Sequence, residues 1–414
     1  MSSKSHYRLE YMGPRALFDP HFLPPNLIGL QKERNILKSI LSDSIHDQFP
    51  LILSLYGLNG VGKTSLTRKV IQELGISQNG LKNNAEEPNL TIQSCYVNCE
   101  KKKPEEILFF LINTLSNTFD YKIDPRPIMK ATMVTQMNLL THLISKTLTK
   151  TPQSTFFFFF DSTEYMQPTL INKLKSVCAS LSCSLVTSFN LLKSSPYLAE
   201  IHKSDFQIQL STYKPSILER IISDRCELAF KSPIEINIIR YITDMVCEFD
   251  CCVPEKCIQV LRELYPIIQS NGYIADTSQI QDACRFQLKG YTINEISIAE
   301  FVSDTEIIDR LALDNICSFF QSQNRYYISY GELMYMYNIA CESIDCVFER
   351  SQFHKLIKNL DRIGLMQPSN LIHNASNKTS LSNLDQEKFV YFLSISPQLF
   401  SEILDVSFGL SELD

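Results

Sequence analysis

The chain has 414 residues, of which 44% are hydrophobic and 20% are charged. This length predicts two or three domains, and the composition excludes a disordered protein. The net charge of −6 excludes a uniformly basic nucleic-acid coat protein, so any DNA contact needs a local basic surface. No apolar signal core or run of about 18 apolar residues occurs, which predicts an intracellular protein without membrane contact and with reduced cysteines.

The first 213 residues alternate between strand and helix patterns. Residues 1–25 are polar and proline-containing, and we interpret them as an N-terminal arm. Residues 77–90 are rich in Asn, Glu and Gly, which predicts a loop. The predicted strands are Pro50–Tyr56, Ile92–Cys99, Phe156–Phe160 and Ser184–Ser188, and the predicted helices are Leu27–Leu41, Ser65–Leu74, Pro104–Leu115, 132–148 and Leu170–Leu181. This alternation predicts an α/β fold with a parallel sheet between two layers of helices.

The second half of the chain is mainly helical. The pattern from Pro215 to about Gln287 predicts an all-helical region, and residues from Glu306 onward begin as helix and end in shorter segments. We therefore predict four regions: an arm at 1–25, a nucleotide-binding domain at 26–213, a helical lid at 214–300 and a C-terminal domain at 301–414. Four acidic residues near the end predict a separate acidic tail: Glu402, Asp405, Glu412 and Asp414.

A phosphate-binding loop follows the first predicted strand. The sequence Gly57-Leu-Asn-Gly-Val-Gly-Lys-Thr64 matches G-x-x-x-x-G-K-[ST] between a strand and a helix. The glycines let backbone N–H groups surround phosphate oxygens, Lys63 supplies a positive charge, and the Thr64 hydroxyl suits Mg²⁺. The predicted ATP-binding residues are Gly57, Leu58, Asn59, Gly60, Val61, Gly62, Lys63, Thr64 and Ser65.

A second part of the site is predicted where the strand of five phenylalanines ends. Asp161 follows that strand directly and is expected to bind Mg²⁺ together with Thr64. Many ATPases place a Glu after this Asp to orient the attacking water, but here the position is Ser162, which is a poor base. Glu164 is the remaining candidate catalytic acid, although its position favours a different orientation. The sequence therefore predicts ATP binding more firmly than hydrolysis.

Three segments occur in an order that resembles the AAA+ replication initiators of the Orc1/Cdc6 family. They are the stretch from Leu23 to Arg34, the phosphate-binding loop and the strand Tyr96-Val-Asn-Cys99. Asp161-Ser-Thr-Glu-Tyr165 is also similar to the altered acidic motif of the smaller origin recognition complex subunits. The resemblance spans most of the chain and implies a AAA+ sheet domain, a helical lid and a C-terminal winged helix.

The resemblance also implies a function and further site positions. It implies an ATP-dependent protein that recognises origin duplex DNA, associates with sister Orc/Cdc6-type subunits and helps load the replicative helicase, in a nucleus or a nucleoid. It places a first sensor near Ser188, where the family usually has Asn, and a second near Glu255 or Lys256, where it has Arg. No Arg occurs between Leu191 and Leu210, where family members often supply one to a neighbour. These departures imply a weakened ATPase.

A predicted helix at Ser351–Ile363 has the pattern of a recognition helix. Its apolar residues fall on one side, and the candidate DNA-binding residues fall on the other: Ser351, Lys355, Lys358 and Arg362. A preceding helix is predicted at Ile328–Ile339, and residues 364–395 are expected to form the wing. However, residues 301–414 contain 8 Lys and Arg against 15 Asp and Glu, so a protein-docking role is the alternative.

The sequence has only some of the features expected of a signalling ATPase, a small-molecule kinase or a zinc protein. A signalling ATPase of the STAND class fits the loop equally well, but such proteins usually continue into a repeat-rich sensor region. A small-molecule kinase would need several arginines in a lid. Cys247, Cys251, Cys252 and Cys257 are clustered, which suggests either a zinc site or small core residues. The lack of a C-x-x-C pair and of a nearby His favours the core interpretation.

Overall fold

The computed structural model describes residues 10–76, 79–83, 91–150, 154–190, 192, 203–272, 274–291, 294–323, 325–371 and 389–411. Within these ranges, no helix has the length and apolar character needed to cross a membrane. The chain forms two compact units. One consists of Leu23–Thr212, and the other combines the segment before Leu23 with the chain from Tyr213 onward.

The Leu23–Thr212 unit is built on a six-stranded sheet of order β2-β3-β4-β5-β1-β6. Five strands are parallel, and β2 is antiparallel at one edge. The strands are β1 Ile52–Gly57, β2 Asn79–Asn83, β3 Thr91–Asn98, β4 Ser154–Asp161, β5 Ser184–Asn190 and β6 Phe206–Leu210. The helices are α2 Gln31–His46, α3 Lys63–Glu73, α4 Pro104–Thr118, α5 Pro125–Met129, α6 Met133–Lys150 and α7 Pro168–Ser180.

Strand β4 sets the two faces of this sheet. Phe156, Phe158 and Phe160 belong to a core with α4, α6 and α7. Phe157 and Phe159 alternate with them and are also buried, with ring centroids 6.0 Å apart. Strand β4 lies between β3 and β5 and is buried on both faces, which explains its continuous apolar sequence. The predicted α/β sheet is confirmed.

The second unit begins with a short helix, α1 Arg15–Phe18, and continues after Thr212 with the lid helices. These are α8 Pro215–Ala229, α9 Ile236–Phe249, α10 Pro254–Ser270 and α11 Thr277–Gln287. Ala16 and Leu17 belong to their core. Arg225 Nη1 donates to the Ala16 carbonyl at 2.7 Å, and Arg262 Nε donates to the Leu17 carbonyl at 2.6 Å. Residues 10–22 of the predicted arm are therefore packed against the lid helices.

The C-terminal part of this unit has the helices and small sheet of a winged helix. The helices are α12 Glu295–Asp304, α13 Ile307–Gln323, α14 Tyr330–Ser343, α15 Arg350–Arg362 and α16 Pro397–Ser411. The strands β7 Ile328–Ser329, β8 Met366–Pro368 and β9 Val390–Leu393 form a sheet of order β7-β9-β8. The predicted wing is framed by β8 and β9, while residues 372–388 between them lie outside the described residues. The predicted winged helix is confirmed.

The structure corrects two predicted elements. Residues 79–83 were predicted as loop but form β2, which pairs with β3 from Asn79 with Cys95 to Asn83 with Thr91. The sequence of this strand does not alternate between apolar and polar residues. It lies at the edge of the sheet, where backbone pairing with β3 is enough to form a strand. The helix predicted from Ile328 begins at Tyr330, because Ile328 and Ser329 pair with β9. Ser329 then caps the helix by accepting a hydrogen bond from Glu332 N.

Candidate functional site

The phosphate-binding loop joins the end of β1 to the start of α3, as its sequence predicts. Gly60 and Gly62 have φ angles of 76° and 103°, a region that glycine adopts without steric cost. Gly57 is required for another reason: a Cβ atom there would lie 2.5 Å from the Leu210 carbonyl oxygen of β6. The glycines of the loop are therefore needed for two reasons, a backbone conformation that favours glycine and the close approach of a neighbouring strand.

Lys63 lies at the first position of α3 and is folded back over the loop. Its Nζ donates to the carbonyls of Gly57 at 3.0 Å and Leu58 at 2.8 Å. The side chain is only 8% exposed, so its charge is held close to the loop and away from bulk solvent. The N-terminus of α3 adds the positive end of its helix dipole at the same place. Both features favour a polyphosphate at this loop.

The Asp161 carboxylate lies against the loop and receives four hydrogen bonds. The Thr64 hydroxyl donates to Oδ2 at 2.5 Å, and the Tyr96 hydroxyl donates to the same oxygen at 2.7 Å. Oδ1 accepts from Ser162 N at 3.0 Å and from the Ser188 hydroxyl. Asp161 is 6% exposed, so these donors replace most of its hydration. The structure thus brings the two predicted Mg²⁺ residues, Thr64 and Asp161, into direct contact.

Tyr96 also belongs to the site, although the sequence indicates it only as part of the strand that ends at Cys99. It stands on β3 opposite Phe159, on the sheet face that also carries Asp161. Burial raises the pKa of the Tyr96 hydroxyl, and the nearby negative charge of Asp161 raises it further. Tyr96 therefore remains a neutral donor. Burial likewise raises the pKa of the Cys99 thiol, so this cysteine is a small buried residue rather than a nucleophile.

The turn after Asp161 determines where Ser162 and Glu164 point. Ser162 has a φ angle of 56°, and its N–H points back to the Asp161 carboxylate and to the Ser188 hydroxyl at 3.1 Å. Glu164 follows in a short 3₁₀ turn, and its Oε2 accepts from Asn190 N at 3.1 Å. The carboxylate of Glu164 therefore lies at the end of β5, where it caps a backbone group.

Two residues of β5 are relevant to the sensor position. Ser188, the position given by the family resemblance, donates its hydroxyl to Asp161. Asn190 lies two residues further along the buried strand and pairs with Gly57 at the start of the loop. Asn is the residue type that the family resemblance implies at the first sensor, and Asn190 is the asparagine of this strand.

The residues expected at the second sensor have partners inside the lid. Lys256 Nζ lies 3.2 Å from an Asp250 carboxylate oxygen and 3.3 Å from the Gln287 carbonyl. Glu255 Oε1 accepts from Gln259 at 3.2 Å, one turn along α10. The charge of Lys256 is thus compensated locally, and Glu255 has the opposite charge to the Arg that the family usually has here.

The candidate DNA-binding residues share one face of α15. Its apolar residues Phe353, Leu356 and Leu360 are buried in the winged-helix core. The predicted contact residues are all exposed: Ser351, Lys355, Lys358 and Arg362. Asp361 is exposed beside them, which reduces the positive charge of the helix. Glu402 and Asp405 of the predicted acidic tail belong to α16, while Glu412 and Asp414 lie outside the described residues.

Three of the clustered cysteines lie in or against the lid core, as the core interpretation predicts: Cys247, Cys252 and Cys257. Cys247 and Cys252 form a disulfide with their Cα atoms 4.6 Å apart, so the prediction of reduced thiols is wrong for this pair. The turn between α9 and α10 brings the two Cα atoms within the range that a disulfide spans. Cys257 is buried in the lid core, and Cys251 is partly exposed. Across the described ranges, no group of three or more His, Cys, Asp and Glu is arranged for a metal ion.

Comparisons with known proteins identify the fold. No family model matches the sequence, and no curated protein sequence matches it significantly. Among solved structures, Cdc6p from Pyrobaculum aerophilum is similar with a TM-score of 0.67 at 15% identity, covering 95% of this chain and 98% of that one. The Aeropyrum pernix Orc1 protein, solved in complex with DNA, gives a TM-score of 0.55 at 16% identity, covering 98% and 100%.

The Aeropyrum pernix Orc2 protein, solved as ADPNP-ADP complexes, gives a TM-score of 0.52 at 15% identity over 98% of this chain and 100% of that chain. All three similarities extend over almost the whole length of both chains, so they include the sheet, the lid and the winged helix. The parallel sheet, the helical region and the winged helix of the present chain occur in the predicted order. The chain therefore has the AAA+ fold of these Cdc6 and Orc structures.

Proposed function

We propose that this protein is an ATP-binding DNA replication initiator of Orc/Cdc6 type. The observation that carries the proposal is the 2.5 Å contact between Thr64 and Asp161, which joins the phosphate-binding loop to the acidic end of β4. The fold supports the same assignment, since one structural neighbour was solved with ADPNP and ADP and another with DNA. A STAND-type signalling switch is not favoured, because initiator structures match over 95% or more of the chain.

Nucleotide binding is supported by the residues around the loop. The loop N–H groups and Lys63 would hold the phosphates, and residues 57–65 form the proposed binding segment. Thr64 and Asp161 fit Mg²⁺ as well, because both offer hard oxygen ligands and their oxygens are in direct contact. Bound Mg²⁺ would neutralise phosphate charge at this position.

Hydrolysis is proposed to be weak or absent. Ser162 occupies the position after Asp161, and its backbone N–H is engaged with Asp161 and Ser188. Glu164, the remaining candidate acid, accepts a hydrogen bond from Asn190 N. A general base has to reach the water that it activates, and Glu164 would first have to leave this contact. We therefore propose that ATP acts mainly as a structural ligand, which stabilises the state that binds it.

The proposal is tested by ATP binding and turnover of the purified protein. Wild type should bind a fluorescent ATP analogue, and Lys63→Ala should weaken binding at least about tenfold, because a charge-assisted contact contributes roughly 1.5–3 kcal/mol. Lys32→Ala removes an exposed lysine of the same unit and should bind like wild type. Phosphate release should be negligible with and without duplex DNA. Equal affinity in all three proteins would refute the assignment, and rapid turnover would refute the weak-hydrolysis proposal.

DNA binding is proposed for the exposed face of α15. Phosphate contacts by lysines make affinity fall with salt, and each contact contributes roughly one unit to the slope of log affinity against log salt. Lys355→Ala and Lys358→Ala should each reduce this slope on origin-length duplex by about one. A charge-matched control is Lys289→Ala, an exposed lysine after α11. Unchanged slopes in both α15 variants would instead favour α15 as a protein-docking surface, with sister subunits and the helicase as the proposed partners.

A further inference from the structure

Three pairs of cysteines occupy equivalent positions at the C-terminal ends of three helices. In each pair, one cysteine lies two residues before the last residue of the helix, and the other lies three residues after it. The pairs are Cys178 and Cys183 at α7, Cys247 and Cys252 at α9, and Cys341 and Cys346 at α14. Because the positions are equivalent, the chemistry of the three pairs can be compared directly.

The end of α14 brings its two cysteines together. Asp345 has a φ angle of 56°, and the N–H of Cys346 donates to the Cys341 carbonyl at 2.9 Å, which is a Schellman motif. Helix α7 ends in the same way, with Cys183 N donating to the Cys178 carbonyl at 2.8 Å. In this motif the side chains of the two joined residues pack against each other. The hydrogen bond also keeps the two Cα atoms within the range that a disulfide spans.

The pair at the end of α9 shows that these positions can be bridged. Cys247 and Cys252 are joined by a disulfide with their Cα atoms 4.6 Å apart. Cys341 and Cys346 are free thiols, but they are close enough to influence each other. Burial raises the pKa of the Cys341 thiol, and the neighbouring Cys346 raises it further. The pair at α14 therefore has the placement of a disulfide in its reduced form.

Exposure to solvent distinguishes the pair at α14 from the free pair at α7. Both cysteines of the α7 pair are buried, whereas Cys341 is buried and Cys346 is exposed. The second position of a Schellman motif is commonly filled by a buried apolar residue. At the end of α15, for example, Leu365 N donates to the Leu360 carbonyl at 3.0 Å, and both side chains are buried. Packing alone therefore does not account for a thiol that faces solvent at Cys346.

We propose that Cys341 and Cys346 form a thiol–disulfide exchange site that takes a low-molecular-weight disulfide, R–S–S–R, as its substrate. The Cys346 thiolate attacks one sulfur of the substrate, which forms a mixed disulfide and releases R–S⁻. The Cys341 thiolate then attacks the Cys346 sulfur, which closes the Cys341–Cys346 disulfide and releases a second R–S⁻. The two protons that the cysteines lose are taken up by the two released thiolates. Two protein thiols are thus oxidised, and R–S–S–R is reduced to two R–SH.

The site lies in the turn that leads into α15. Only Val347, Phe348 and Glu349 separate Cys346 from the first residue of that helix. The disulfide would tie this exposed turn to Cys341, which belongs to the winged-helix core. The ratio of disulfide to thiol around the protein therefore sets the covalent state of the turn. This inference goes beyond the proposed function and does not depend on nucleotide binding.

The test incubates the full-length protein with oxidised glutathione, alkylates the remaining thiols in denaturant and maps tryptic peptides by mass spectrometry. Each cysteine pair lies in a separate tryptic peptide, at 176–193, 241–256 and 326–350. Peptide 326–350 should lose alkylation at both cysteines and contain an internal disulfide. Peptide 176–193 should remain alkylated at both of its cysteines, because the folded protein buries them. Peptide 241–256 should contain its disulfide before glutathione is added.

Two variants separate the steps of the exchange. Cys341→Ser keeps the exposed thiol but removes the resolving one, so Cys346 should accumulate as the mixed disulfide with glutathione. Cys346→Ser changes an exposed position and should form neither product. Cys183→Ser is the matched control, since it replaces the equivalent residue of the α7 pair and should leave oxidation of peptide 326–350 unchanged. Thermal unfolding verifies that each variant is folded.

The outcomes of this experiment decide the proposal. An internal disulfide in peptide 326–350, with the mixed disulfide trapped in Cys341→Ser, supports it. If wild type stops at the mixed disulfide, Cys341 is not a resolving thiol and the inference is overturned. Full alkylation of both cysteines in peptide 326–350 overturns it as well. Equal oxidation of peptide 176–193 would show that exposure of Cys346 does not select the site, which also refutes the proposal. ATP binding is measured separately and is not affected by any of these outcomes.

Discussion

Replacing Asp244 with Asn should change how the stability of the second unit depends on pH. Asp244 lies on α9 and is fully buried. Its carboxylate accepts hydrogen bonds from the Ser369 hydroxyl at 2.6 Å, the Tyr327 hydroxyl at 2.9 Å and Asn370 N at 3.1 Å. These partners flank the β7–β9–β8 sheet, so one acid joins a lid helix to the base of the wing. Burial raises the pKa of Asp244 from 3.8 to about 6, even though the hydrogen bonds lower it.

The magnitude follows from the two pKa values. A raised pKa means that the folded protein binds the proton more tightly than the unfolded chain, so stability falls as the pH rises from 3.8 to about 6. The total loss is about 3 kcal/mol, and roughly half of it falls between pH 5 and pH 8. Asn does not titrate in this range. The stability of wild type relative to Asp244→Asn should therefore fall by about 1.4 kcal/mol between pH 5 and pH 8.

The assay is urea denaturation at both pH values. The chain has 18 Tyr and no Trp, so unfolding can be followed by intrinsic tyrosine fluorescence. Asp282→Asn is the control, because it makes the same substitution at an exposed position of the lid. A difference between wild type and Asp244→Asn that is equal at pH 5 and pH 8 would refute the reasoning.

Three further substitutions test features of the fold. Cys247→Ser removes the disulfide and should lower the free energy of unfolding by about 2 kcal/mol; dithiothreitol should abolish the difference from wild type in a thermal melt. Arg262→Ala removes the 2.6 Å contact to Leu17 O and should speed trypsin cleavage within residues 10–22, whereas Arg285→Ala, at an exposed position, should not. Gly57→Ala places a Cβ against a backbone oxygen at 2.5 Å, so both melting temperature and ATP affinity should fall; an unchanged melting temperature would contradict the observed strand spacing.

The sequence predicts the sheet unit well because the strands and the phosphate-binding loop each have a strong pattern of their own. The five consecutive phenylalanines have a single favourable environment, a strand buried on both faces, and the glycines of the loop meet backbone constraints that other residues do not. The strand β2 was missed because an edge strand is selected by backbone pairing rather than by side-chain pattern.

The missed contacts depend on tertiary geometry, and most of them join residues that are distant in sequence. Tyr96 and Asp161 are separated by 65 positions, and nothing in either segment alone specifies that the tyrosine hydroxyl points at the carboxylate. The Cys247–Cys252 disulfide depends on the geometry of the turn between two helices, which cysteine spacing does not determine. The pairing of Arg225 and Arg262 with residues 16 and 17 likewise appears only when the lid helices are assembled.

The packing of residues 10–22 against the lid affects the order in which the chain can fold during synthesis. The contacts of Ala16 with Arg225 and of Leu17 with Arg262 span 209 and 245 positions. The segment that supplies one side of this core is translated before the whole of Leu23–Thr212, and its partners are translated only after it. The sheet unit is continuous in sequence, so it can fold while residues 10–22 still lack their partners. The helical unit is complete only when residues 10–22 have docked on the lid helices. Because these contacts are so distant in sequence, we expect this step to be slow.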